Sequence, residues 1–143
     1  MSFRRRAKRR EEEPRVSRRT VTFIASLYYW SPLQYEQQWL TALRRVVEGA
    51  NRSVLITSYV EPPLVVTSDD YLVWWPLYRA EDVVYVQNQM LFFKTLKAPF
   101  SIECPWEFVR DRQALNAEGV QVSEWVTNVQ SIRECLNRKL DRK

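Results

Sequence analysis

Apolar and polar positions change rhythm several times along this chain, and each change marks an element. From Thr20, the run VTFIASLYYW is dense in β-branched and aromatic residues and predicts a first strand. It stops at Ser31-Pro32-Leu33-Gln34, a helix start: Ser to cap, Pro at the first helical position, Gln three residues on to reach back to the cap. Beyond it Tyr35, Trp39, Ala42, Leu43, Val46 and Val47 recur at three- and four-residue spacing, and Gly49 suits a left-handed terminus. The spacing predicts a helix over 32–48.

Ser53 to Val60 reads as the next strand, closed by Pro62-Pro63, which cannot donate to a ladder. Tyr71 to Tyr78 and Val83 to Phe93 are two β-prone runs about Arg79-Ala80-Glu81-Asp82, as in a hairpin, with Pro76 expected at a bulge or an edge. Between 94 and 112, Pro99 and Pro105 predict irregular structure with a helical turn at 106–110. Val120 to Val126 alternates as a strand after the turn 116–119. A closing helix over 128–139 places Val129, Ile132 and Leu136 on one face. These elements predict a small α+β protein: a mainly antiparallel sheet of about five strands with two principal helices packed on it.

Length fits this picture, since 143 residues suit one core. Charge divides it. Of 22 Lys/Arg, nine lie in residues 1–19 with three of the 17 acids, so this stretch carries +6 and the remainder −1. With few apolar side chains, residues 1–19 are expected to be a disordered basic arm, ahead of a single domain over 20–143. No run is long enough to cross a bilayer, and the basic start lacks the apolar segment of a secretory signal, so a cytoplasmic protein is expected, with no membrane partner.

The chemistry is restricted. Without histidine, the usual general base and the commonest zinc ligand are missing, and Gly49 and Gly119 are too far apart to make a phosphate-cradling loop. Cys104 and Cys135 lack metal or redox spacing, and read as structural or incidental thiols. No cofactor, metal site, catalytic residue or small-molecule substrate is expected. Asp69-Asp70 reads as a solvated loop unless further carboxylates converge on it for a metal-dependent reaction. Trp74 and Trp75, adjacent on a strand, must point to opposite faces. Either both faces are covered, or the outer Trp with Tyr78 or Arg79 forms an anchor for a partner. Arg4, Arg5, Arg6, Lys8, Arg9 and Arg10 allow a solvated tail, a contact to nucleic acid or another anionic surface, or a targeting remnant.

From Tyr29-Trp30-Ser31-Pro32 the blocks SPLQYEQQWLTAL, SVLITSY, WWPLYR, VYVQNQMLFF, APF and VSEWV run in order over about 22–137. Together they resemble immunity proteins of bacterial contact-dependent growth inhibition and related toxin systems. The resemblance implies a non-catalytic cytosolic protein that neutralises a cognate toxin domain by covering its active surface. It supplies no binding residues. On physical grounds the acids Glu61, Asp69, Asp70, Glu81 and Asp82, in predicted loops, would steer a basic toxin. The arm departs from that logic, because it would repel such a partner. The alternative is a nucleic-acid-associated protein using the arm for phosphate contacts.

Overall fold

The computed structural model describes residues 2–6, 22–116 and 118–141. Helix α1 spans Pro32–Val47 and begins as its sequence dictates. Gln34 N donates to Ser31 Oγ at 3.2 Å, and Ser31 N donates to Gln34 Oε1 at 2.8 Å, a reciprocal capping box. Gly49 follows the helix with φ 116°, a conformation in which glycine avoids the Cβ penalty.

The main sheet is antiparallel throughout. Its strands are β3 (Arg52–Ser58), β4 (Tyr71–Ala80), β5 (Val83–Gln87), β6 (Gln89–Phe92) and β7 (Glu124–Asn128), ordered β3-β4-β5-β7 with β6 also on β4. Helix α2 (Val129–Asp141) follows β7 directly. Before α1, β2 (Thr22–Ser26) pairs in parallel with β1 (Ser2–Arg6) rather than joining this sheet. Thus Ser2–Arg6, inside the stretch expected to be disordered, forms a strand. The apolar count behind that expectation weighs side-chain burial and omits the backbone bonds a ladder supplies. Met1 and residues 7–19 of the expected arm lie outside the described residues.

Two other elements differ from expectation. The run 83–93 is broken at Asn88 into β5 and β6, which keep one register on β4 (Leu77 opposite Val86, Trp74 opposite Gln89). Pro76 causes the gap. Arg79 N donates to Asn51 O on the β3 side, so by alternation the nitrogen of Pro76 faces Gln87, where it has no hydrogen to give. Pro76 therefore lies neither at an edge nor at a bulge of β4, but in the central strand where its partner is interrupted. The last strand falls at 124–128 instead of 120–126, because residues 114–122 close on themselves. Leu115 bridges Gln121, and Asn116 Oδ1 accepts from Glu118 N and Val120 N.

Each face of the sheet carries a core. On one, Leu55, Trp75, Leu77 and Val84 pack with Ala42 and Val46 of α1 and Val129, Ile132 and Leu136 of α2. On the other, Val54, Ile56, Leu72, Trp74 and Leu91 pack with Tyr35, Phe93 and Val109, with Phe100, Ile102 and Phe108 against them. The second cover is the proline-containing segment after β6, whose regular structure is two short 3-10 turns at Phe93–Thr95 and Pro105–Phe108. Helix α1 straddles the β3 edge and feeds both cores. An ion pair of Lys139 with Glu36 ties α2 to α1.

Candidate partner-binding surface

Alternation along β4 sends Trp74 and Trp75 to opposite faces, and both are covered. Trp74 is 1% and Trp75 6% exposed. Trp75 lies 5.0 Å from the Trp125 ring, and Trp74 6.2 Å from that of Phe100. Neither is an outward anchor, because the segment after β6 closes the face that the helices leave open. Tyr78 is buried too and donates from its hydroxyl to Arg110 O at 2.8 Å. Burial raises its pKa above the ordinary tyrosine value. Arg79 donates to Val46 O at 2.6 Å and to Glu81 O at 2.7 Å, so it caps the end of α1 and braces the β4–β5 turn.

The predicted acids do not converge. Glu61, Asp69 and Asp70 lie in the β3–β4 loop, whereas Glu81 and Asp82 form the β4–β5 turn, at the other end of a ten-residue strand about 30 Å long. Asp70 is engaged within its loop: its Oδ2 accepts from Thr67 N at 2.7 Å and from Thr67 Oγ1 at 3.1 Å. Among the described residues no three acidic or cysteine side chains meet as a metal site would require. Cys104 is half-buried and Cys135 exposed, both as free thiols. Of the basic residues considered for nucleic acid, Arg4, Arg5 and Arg6 belong to β1. Lys8, Arg9 and Arg10 lie outside the described residues.

The end of the sheet that bears the longer acidic loop also carries exposed apolar residues that the sequence reading did not single out. Leu64 and Val65 protrude from the loop, and Tyr28, Tyr29 and Leu33 are exposed where the chain enters α1. The two segments meet through Tyr59, whose ring stacks on Trp30 at 4.5 Å and lies 6.0 Å from that of Tyr29. Tyr59 N takes the hydroxyl of Tyr35 as its acceptor at 2.9 Å. Burial, with Glu61 beside it, raises the Tyr59 pKa. The sequence held one signal, the run Leu64-Val65-Val66 directly after Pro62-Pro63 and flanked by Glu61 and Asp69. Only Val66 of that run packs into the core. A solvated loop has no need of the other two.

A family model described as the CdiI N-terminal domain matches residues 25–135, from the end of β2 into α2. The chain belongs to the CdiI N-terminal domain family. Immunity protein CdiI of Enterobacter cloacae subsp. cloacae is 30% identical over 106 residues, 74% of this chain and 70% of that protein. A solved structure titled CdiA-CT/CdiI toxin and immunity complex from Enterobacter cloacae is similar at a TM-score of 0.65 and 28% identity, over 82% of this chain and 77% of that one. The CdiI N-terminal domain here takes in α1, the whole main sheet, both cores apart from Leu136, and the exposed end just described, and leaves out β1 and most of β2.

Proposed function

We propose that this chain is an immunity protein of a contact-dependent growth inhibition system, acting inside the cell by binding a cognate toxin domain and not by catalysis. The observation that carries this reading is the agreement of sequence and fold with the Enterobacter cloacae immunity protein, over most of both chains. In this reading the toxin docks on the acidic, apolar end of the sheet. Leu64, Val65, Tyr28 and Tyr29 supply the desolvated centre, and Glu61 and Asp69 the rim that steers a basic surface. Glu81 and Asp82 stand at the far end and contribute little.

The test is co-expression with a cognate toxin domain, with affinity followed by calorimetry. Protection and a one-to-one complex are expected. Leu64→Asp with Val65→Asp should weaken binding by at least about 2 kcal/mol, while Glu81→Lys with Asp82→Lys should change it by less than about 0.5 kcal/mol. Failure to protect would reject the immunity reading. Protection that the loop variant leaves intact would move the docking surface elsewhere.

A further inference from the structure

Two of the outer strands of the main sheet, β3 and β7, are finished differently. Along β3, side chains of α1 meet the outward-facing backbone groups. Gln38 Nε2 donates to Val54 O at 2.9 Å, and its Oε1 accepts from Ile56 N at 2.8 Å. Trp39 Nε1 donates to Ile56 O at 2.8 Å, and Arg45 to Arg52 O at 3.3 Å. The helix stands where a further strand would lie and closes that edge.

β7 has no such cover among the described residues. Helix α2 turns back over the helical face, where Val129, Ile132 and Leu136 are buried with Trp75 and Val84. Asn88 N donates to Ser123 O, so odd-numbered residues of β7 direct their backbone toward β5, and Glu124, Val126 and Asn128 direct theirs outward. Of the devices that usually guard an edge, the strand EWVTN has its shortness and one charge, Glu124, but no Lys, no Pro and no bulge in its register on β5. The Val126 side chain at its middle is 64% exposed.

We infer that this edge pairs with the β7 edge of a second copy, as an antiparallel ladder with its two-fold axis at Val126. The register follows from the strand itself. A dyad can fall on a residue whose N–H and C=O both face outward, here Glu124, Val126 or Asn128, or on Trp125 or Thr127 as a non-hydrogen-bonded pair. At Trp125 two indoles already packed on Trp75 would be opposed in the closer kind of pair, and at Thr127 the copy would reach α2 through Val129. A dyad at Glu124 would set two carboxylates opposite each other, and one at Asn128 would run the copy into α2, which starts at the next residue. The dyad at Val126 puts Val126 against itself, Glu124 against Asn128 and Trp125 against Thr127, with no like charges opposed. An acidic partner strand would meet Glu124, and a basic one would compete with Arg112, which already holds Glu124 through two bonds of 2.7 and 2.9 Å. A second copy meets neither obstacle. The inference does not depend on the toxin reading.

The ladder is short, so association should be weak and visible only at high concentration. Sedimentation of the full chain between about 10 µM and about 1 mM should show the mass rising from 17.2 kDa toward twice that value. Val126→Pro removes an outward N–H without touching the β5 ladder, and Val126→Lys opposes two cations at the dyad. Each should weaken self-association by about tenfold or more while the far-UV spectrum is kept. Because Val126→Lys alters an exposed side chain, it decides the matter if the proline variant fails to fold. With Cys104 and Cys135 replaced by Ser, Val126→Cys should cross-link on mild oxidation, since residues in a hydrogen-bonded antiparallel pair sit about 5.5 Å apart at Cα. A mass constant at 17.2 kDa over the whole range overturns the inference, and so does a dimer that Val126→Lys leaves intact.

Discussion

Gln38 does with one side-chain amide what a neighbouring strand does with its backbone, donating to Val54 O and accepting from Ile56 N. Both strand residues are buried, so their backbone groups lose a partner if the amide is removed. Gln38→Leu should therefore destabilise the fold by about 1–3 kcal/mol, read as a lower urea midpoint at unchanged slope. Gln38→Glu keeps the acceptor for Ile56 N and should lie between. If Gln38→Leu costs less than about 0.5 kcal/mol, water is serving the edge instead. Nothing in the sequence marks Gln38 for this role, since on a helical pattern it is one polar residue among several. Ser31 and Gln34 were legible because their partners are each other, three residues apart.

Elements with local signals match the structure, and those that depend on a distant partner shift. Helix α1 ends one residue before its predicted limit, and β4 covers its predicted run. The run 83–93 looked continuous because its interruption is caused by Pro76 on the neighbouring strand, which periodicity within the run cannot reveal. The hairpin turn holds a strain of its own: Glu81 has φ 58°, a conformation that residues with a Cβ adopt at a cost. Its carbonyl, not its side chain, accepts from Arg79, so the side chain is dispensable there. Glu81→Gly should raise stability by about 1 kcal/mol in thermal or urea unfolding. A loss of stability would show that Glu81 holds the turn in another way.

At the scale of the whole molecule, the tyrosines that knit the second core set an upper pH limit. Burial is the first cause that raises the pKa of Tyr35, Tyr59 and Tyr78 above 10.0. Each keeps its proton in the folded chain at pH values where the unfolded chain ionises. Their contribution is therefore complete below the unfolded value of about 10 and is lost as pH climbs through the folded values. The melting temperature should hold from pH 8 to about pH 10 and then fall. Absorbance at the tyrosinate band should rise in two stages, the later one together with unfolding. Full ionisation at the ordinary value with the fold intact would contradict this account. At the acidic side Glu124 acts in the opposite sense: hydrogen bonds from Arg112 hold its carboxyl below the usual range, so that contribution is lost as pH falls through the lowered value.

The sequence by itself determined the fold class, the capping box and apolar faces of both helices, the strand-forming runs and the β4–β5 hairpin. Each of these is decided by residues within a few positions of one another, through backbone capping, side-chain periodicity and turn chemistry. Only the tertiary structure decided that Trp74 and Trp75 are both buried, that the two groups of acids stand at opposite ends of β4, and that Leu64 and Val65 are left in solvent. It also decided how sheet edges are finished, since the outer backbone edge of β3 is met by side chains of α1 and that of β7 by no hydrogen-bond partner among the described residues. Cover and exposure depend on contacts between segments far apart in the chain, and an irregular stretch such as 93–112 becomes a core layer only once there is a sheet face for it to bury.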